Sequence, residues 1–161
     1  MHGLQWAEQV SLAGRNTLHV AAKAAAMCDV RQLDQLPGAF ELAEAQGLDV
    51  LVLGEGSNVR FAGDYPGLVL CITANQCTFV EQNADNALIR ADAGMLWNDL
   101  VHWSLARGWN GLENMALIPG TVGACPIQNI GAYGVEAAES IETVEAFNRH
   151  TRQTRRLSNG E

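Results

Sequence analysis

Between Val30 and Gly47 the apolar residues Leu33, Leu36, Phe40 and Ala43 recur at the spacing of one helix face, and Gly47 supplies a C-terminal stop. Pro37 inside this run is tolerated only in a first turn, so the spacing predicts a helix that starts there. Leu48-Asp-Val-Leu-Val-Leu53 follows as a buried strand, and Gly54-Glu-Gly-Ser-Asn58 breaks it abruptly. Further strands are expected at Gly67–Ile72, Cys77–Val80 and Ala87–Ala91, with the polar run Gln82–Asn86 as the turn before the last. Met95–Arg107 reads as a second helix, with Leu96, Leu100, Trp103 and Leu105 (or Val101) on its apolar side and Gly108 as its stop. Asn110–Gly134 is too apolar for an ordinary loop and, with five glycines and two prolines, too broken for a regular element. A long segment of that kind inside a compact domain is usually functional. Ser140–Phe147 and Thr151–Leu157 read as a hairpin. Before Val30 only an alanine-rich stretch, Ala21–Ala26, stands out. The order α, β, loop, β, β, β, α, long loop, β, β predicts an α+β fold.

Composition narrows the functional classes. The 161 residues carry 18 acids against 10 bases, a net charge of −8. That balance argues against general nucleic-acid or anionic-membrane binding, which needs a basic face. No apolar run approaches the ~20 residues of a membrane helix, and the first residues lack a secretory pattern. Cys28, Cys71, Cys77 and Cys125 form no CxxC and have no histidine pair at ligand spacing, so buried free thiols in a reducing cytoplasm are expected rather than zinc.

Two glycine-rich segments carry the candidate chemistry. In Gly54-Glu55-Gly56-Ser57-Asn58, glycines after a strand leave backbone amides unshielded and permit positive φ, so consecutive N–H groups can converge on an anion. The pattern lacks the third glycine of a Rossmann fingerprint and the Lys-Ser/Thr pair of a P-loop, so taken alone a tight strand-end turn is the simpler reading. The second segment, Leu117–Gly134, sets Ile118, Val122, Ile127 and Ile130 beside the donors Thr121, Gln128 and Asn129. Apolar walls with a few placed polar groups suit a flat ligand that carries a diphosphate. The competing reading is a crossover loop packed by its own side chains.

Gly54–Asn58, Gly94 followed by Trp97, Gly111-Leu-Glu-Asn-Met-Ala-Leu-Ile-Pro-Gly120 and Pro126-Ile-Gln-Asn-Ile-Gly-Ala-Tyr-Gly134 occur in that order. Together with Asn16-Thr17, this set closely resembles the N-terminal half of the UDP-N-acetylenolpyruvoylglucosamine reductases, FAD enzymes of peptidoglycan precursor synthesis. The resemblance implies a flavin domain of the vanillyl-alcohol-oxidase type: an N-terminal extension over 1–15, a small subdomain over 16–72 and a larger one over 73–161, with FAD between the two. By position, Gly54, Glu55, Gly56, Ser57 and Asn58 would cradle the diphosphate. Pro119, Gly120, Thr121, Val122, Gly123, Ala124, Ile127 and Asn129 would line the isoalloxazine and ribityl chain. Gly131, Ala132 and Tyr133 would close the pocket, the Tyr133 hydroxyl reaching the substrate. The family reaction it implies uses NADPH to reduce the flavin, which then passes hydride to UDP-N-acetylglucosamine enolpyruvate. The flavin carries that chemistry, and the protein adds proton delivery and charge stabilisation.

The family's arginine, serine and glutamate for those tasks have no counterpart in this chain. It therefore resembles only the first half of the reductase, and turnover by the chain alone is not expected. The alternatives are another FAD oxidoreductase on the same fold, acting on a small alcohol or hydroxy acid, and a non-catalytic flavin-binding remnant. Glu113 reads equally as the orienter of a loop amide or as a structural carboxylate. Cys125 is expected to be an unmodified thiol, and His19, His102 and His150 lack acids at ligand spacing. Arg149, His150, Arg152, Arg155 and Arg156 form a basic cluster, read as a solvated hairpin rather than a phosphate site. A sheet edge and an apolar patch left uncovered by a missing half would promote self-association.

Overall fold

A computed structural model describes residues 4–160. The chain divides into two units, Met1–Ala74 with Phe147–Gln153, and Asn75–Ala146 with Thr154–Glu161. The first is built on a four-stranded sheet of β1 (Gln5–Ser11), β2 (Lys23–Val30), β3 (Val50–Leu53) and β4 (Tyr65–Ile72), in the order β1-β2-β4-β3. β1 runs antiparallel to β2, whereas β2 with β4 and β4 with β3 are parallel. The helix α1 (Leu36–Ala45) connects β2 to β3 and buries Leu36, Ala39, Phe40 and Ala43 against Ala26, Cys28, Val30, Leu68 and Leu70. The opposite sheet face buries Ala24, Met27, Leu53, Val69 and Cys71 with Leu12 and Phe61. Covered on both faces, β2 and β4 are nearly continuous apolar runs.

Several expectations change here. Within the stretch expected as an N-terminal extension, Gln5–Ser11 form the edge strand β1 and Ala13–Arg15 a short turn. Most of the alanine-rich stretch enters β2, one of the two inner strands. β3 is an edge strand with Val52 57% exposed, not a strand buried on both faces. Pro37 does sit in the first turn of α1, but Leu33 precedes the helix and is exposed.

Residues 147–153 complete the first unit. Phe147 stacks on Phe40 with centroids 5.7 Å apart, and the Arg152 guanidinium lies 5.1 Å from the Phe40 ring while pairing with Glu44 at 3.0 Å. Part of the basic cluster thus anchors a hairpin tip rather than standing in solvent.

The second unit holds the antiparallel pair β5 (Cys77–Gln82) and β6 (Ala87–Ala91), the helices α2 (Trp97–Leu105) and α3 (Cys125–Gln128), and the two-residue strands β7 (Gly131–Ala132) and β8 (Val135–Glu136). The paired strands β9 (Thr143–Asn148) and β10 (Gln153–Ser158) have their base in this unit. At the β5–β6 turn, Asn83 Oδ1 accepts from the amides of Asp85 and Asn86. The buried face of α2 is Trp97, Leu100, Val101 and Ser104, packed with Met95, Met115, Cys125 and Ala137. Of the residues expected on that face, Leu100 and the alternative Val101 are buried, whereas Leu96 and Leu105 are exposed. Gly108 ends the turn after α2 with φ +76°.

Candidate functional site

The Gly54–Asn58 turn begins where β3 delivers the buried Leu53. Gly54 and Glu55 are exposed and Gly56 is buried with φ +75°. A Cβ on Gly56 would collide with the Arg15 carbonyl and lie 2.8 Å from Asn16 Cα, so glycine is required twice over, by angle and by space. The Gly56 carbonyl accepts from the Thr17 amide at 3.3 Å. Behind it, Asn16 is 3% exposed and fully used: Nδ2 donates to the Leu12 carbonyl at 2.7 Å and the Val20 carbonyl at 3.3 Å, and Oδ1 accepts from the Val20 amide at 3.0 Å. Arg15 pairs with Asp29 at 3.3 Å. The Arg15–Thr17 turn is therefore the backing of the glycine turn. Sequence reasoning gave Asn16-Thr17 no structural task, since no spacing rule links it to Gly56.

In the second unit, the start of α2 and the residues before it grip the loop from Met115 to Gly123. The Trp97 indole N–H donates to the Met115 carbonyl at 2.9 Å, the Trp97 amide to Gly120 at 2.9 Å, and Asn98 Oδ1 accepts from the Leu117 amide at 2.9 Å. Val122 donates to Met95 and Gly123 to Ala93, each at 2.8 Å. A Cβ on Gly123 would sit 2.7 Å from that of Ala93, so this approach needs glycine. Thr121 is 8% exposed, and its carbonyl accepts from Ala124 and Cys125. A shallow depression here is lined by Trp97, Pro119, Thr121, Ala124, Gln128 and Ile130.

α3 ends at Asn129, whose φ is +42° and whose Nδ2 donates to Glu136 Oε2 at 2.9 Å. Gly131 and Ala132 pair with Glu136 and Val135. The two turn residues between them, Tyr133 and Gly134, both have positive φ, +54° and +80°, as a tight hairpin of primed type demands. This turn holds the Tyr133 side chain 90% exposed, and Ile127 is 85% exposed on α3. The sequence-predicted residues Pro119–Ala124, Ile127, Asn129 and Gly131–Tyr133 thus belong to one unit, and Gly54–Asn58 to the other.

The remaining candidates take structural roles. Glu113 accepts the Gly111 amide, and that bond, followed by one from its own amide, holds its carboxyl below the usual range. Cys28, Cys71 and Cys125 are buried free thiols; burial lifts each from 9.0 to about 11, aided at Cys28 by the Asp29 charge and opposed at Cys71 by Arg15. His19 contacts the Ala13 carbonyl at 3.2 Å, and His102 is exposed on α2. Among the described residues no group of three or more His, Cys, Asp or Glu is placed to hold a metal, and no helix is long and apolar enough to cross a membrane.

The first unit carries a glycine turn fixed by Gly56, and the second carries the gripped 115–123 loop with Ile127 and Tyr133 exposed after it. The architecture is the α+β flavin-binding fold of the vanillyl-alcohol-oxidase type. The chain belongs to the FAD binding domain family, whose model matches residues 24–153, and its cofactor is FAD. It is 52% identical over 137 residues to the UDP-N-acetylenolpyruvoylglucosamine reductase of Xanthomonas euvesicatoria pv. vesicatoria, and 50% identical over 137 residues to that of Xanthomonas axonopodis pv. citri. Each match covers 85% of this chain and 39% of the relative, so the chain spans well under half the length of these curated relatives. The crystal structure of UDP-N-acetylenolpyruvylglucosamine reductase from Thermus caldophilus superposes with a TM-score of 0.72 at 25% identity, covering 98% of this chain and 53% of that one. A solvent-stable cholesterol oxidase shares the fold at a TM-score of 0.68 and 17% identity, covering 96% of this chain and 33% of its own.

Proposed function

We propose that this chain is the FAD-binding portion of an NADPH-dependent reductase that converts UDP-N-acetylglucosamine enolpyruvate to UDP-N-acetylmuramate for peptidoglycan synthesis. The observation that carries the reading is the FAD-binding match across 24–153, which includes both glycine-bearing segments, joined to 52% identity with a reductase of that name. Bound FAD would supply hydride-transfer chemistry. Gly54, Glu55, Gly56, Ser57 and Asn58 would offer backbone amides to its diphosphate, the buried Gly56 fixing the turn. Pro119–Ala124, Ile127 and Asn129 would flank the ring and ribityl chain, and Gly131, Ala132 and Tyr133 would close the site. The exposure of Tyr133 supports a hydroxyl free to meet substrate. The free thiols fit a reducing compartment, and we place the protein in the cytoplasm with its NADPH and UDP-sugar.

The groups that the resemblance assigns to proton delivery and charge stabilisation have no counterpart among these residues. The chain is therefore expected to bind FAD without turning over. Purified protein tests both points. A visible flavin absorption band and tight uptake of added FAD, with no NADPH consumption on UDP-N-acetylglucosamine enolpyruvate, are the expected results. Colourless protein that ignores FAD overturns the cofactor assignment, and sustained NADPH consumption overturns the predicted inactivity.

A further inference from the structure

Leu117 combines two features that a folded chain ordinarily avoids. Its φ is +63°, in the left-handed region where a branched side chain is strained, and the side chain is 81% exposed. Neither feature is explained by packing, because a side chain so exposed contributes little to the core. Nor is the backbone free to relax. The Leu117 amide is held by Asn98 Oδ1 at 2.9 Å, the Met115 carbonyl before it by the Trp97 indole, and the Gly120 carbonyl after it by the Trp97 amide. Two consecutive residues at the start of α2 therefore clamp the loop on both sides of Leu117. Strain that persists because its surroundings enforce it points to function.

Among the described residues of this unit, the pairing of positive φ with a large, exposed hydrophobic side chain recurs at Tyr133, with φ +54° and 90% exposure. The β7 strand leading to Tyr133 packs beside the 113–115 turn that leads to Leu117. Two adjoining segments thus each present one large, strained, solvent-facing side chain. Glycine or asparagine would satisfy the backbone at position 117 with less strain, so the structure retains a leucine for what its side chain touches.

We infer that Leu117 is a cofactor-contacting residue, an apolar wall against the flat ring of bound FAD, and that Asn98 is the positioning residue that holds it there. This inference rests on the FAD reading above. Its chemistry is shape and dispersion: an isobutyl group offers no hydrogen bond, so it suits a ring face rather than a phosphate or ribityl hydroxyl.

The test compares Leu117→Gly and Leu117→Met with the parent chain by FAD titration and by thermal unfolding without FAD. Leu117→Gly is expected to weaken FAD binding by at least about fivefold, the loss of one partly buried apolar contact, while its cofactor-free Tm stays at or above that of the parent. Leu117→Met, which keeps an apolar side chain, is expected to bind FAD within about twofold of the parent. Parent-like FAD affinity in Leu117→Gly overturns the inference. So does a lower cofactor-free Tm, which would show the side chain serving the fold. If the parent chain itself takes up no FAD, the functional reading fails, and that outcome is distinct from the other two.

Discussion

Asn16 shows how one side chain can set a turn it does not belong to. Its three hydrogen bonds, at 2.7, 3.3 and 3.0 Å, are made inside a site only 3% exposed, so Asn16→Ala would strand the Leu12 and Val20 backbone groups away from water. Each unsatisfied buried group costs ~1–3 kcal/mol, and we expect a loss of about 2–4 kcal/mol in thermal or urea unfolding. Thr17→Ala, at an exposed neighbour, is expected to stay within about 0.5 kcal/mol. Equal losses in the two variants would remove Asn16 from this role. The thiols make a second prediction at this scale. Cys28, Cys71 and Cys125 are lifted from 9.0 to about 11 in the folded chain. Between those values the unfolded chain releases protons that the folded chain retains, so stability present below pH 9 declines as pH rises toward 11. Urea midpoints measured across that window should fall with pH. The fall should be shallower when Cys28→Ala, Cys71→Ala and Cys125→Ala are combined, and an unchanged slope would contradict the assignment.

Secondary elements were legible in the sequence to different degrees, and the differences have physical causes. The start of α1 at Pro37, the β5–β6 turn at Asn83 and the stop at Gly108 rest on local backbone chemistry, so they could be read directly. β2 could not. Lys-Ala-Ala-Ala-Met-Cys has almost no β-branched residues, and only its place between β1 and β4, where small side chains fit under α1, makes it a strand. The site divides in the same way. The glycines of 54–58 and 119–134 announced themselves, but the backing by Arg15–Thr17 and the grip by Trp97 and Asn98 depend on contacts distant in sequence. The face of α2 was legible in part: Leu100 and the alternative Val101 point inward, Leu96 and Leu105 do not, and Trp97 takes the place that spacing gave to Leu96. Truncation at two of these positions measures the difference. Leu100→Ala, at a residue 6% exposed, is expected to cost ~2–5 kcal/mol, whereas Leu105→Ala at 37% exposure should cost less than about 1 kcal/mol.

For the molecule as a whole, the balance between cofactor binding and association decides what a solution experiment sees. Leu117, Ile127 and Tyr133 are the most exposed large hydrophobic residues described, and all three lie in one unit. Uncovered apolar side chains favour self-association, while a net charge of −8 on 161 residues opposes it, more weakly as salt screens the repulsion. FAD acts on both terms if it covers those side chains, and it adds stability by mass action because the unfolded chain has no site for it. At 100 times the dissociation constant that linkage is ~2.7 kcal/mol, which for a chain of this size corresponds to a rise in Tm of about 5–10 °C. Thermal unfolding with saturating FAD, read beside sedimentation at high salt with and without the cofactor, tests the two effects together. The expected result is a higher Tm and a smaller associated fraction when FAD is present. Riboflavin, which lacks the diphosphate that Gly54–Asn58 would hold, should give a much smaller shift at the same concentration. An equal shift from riboflavin would show that the glycine turn contributes nothing to binding, and would leave the whole of the affinity with contacts to the ring and ribityl chain.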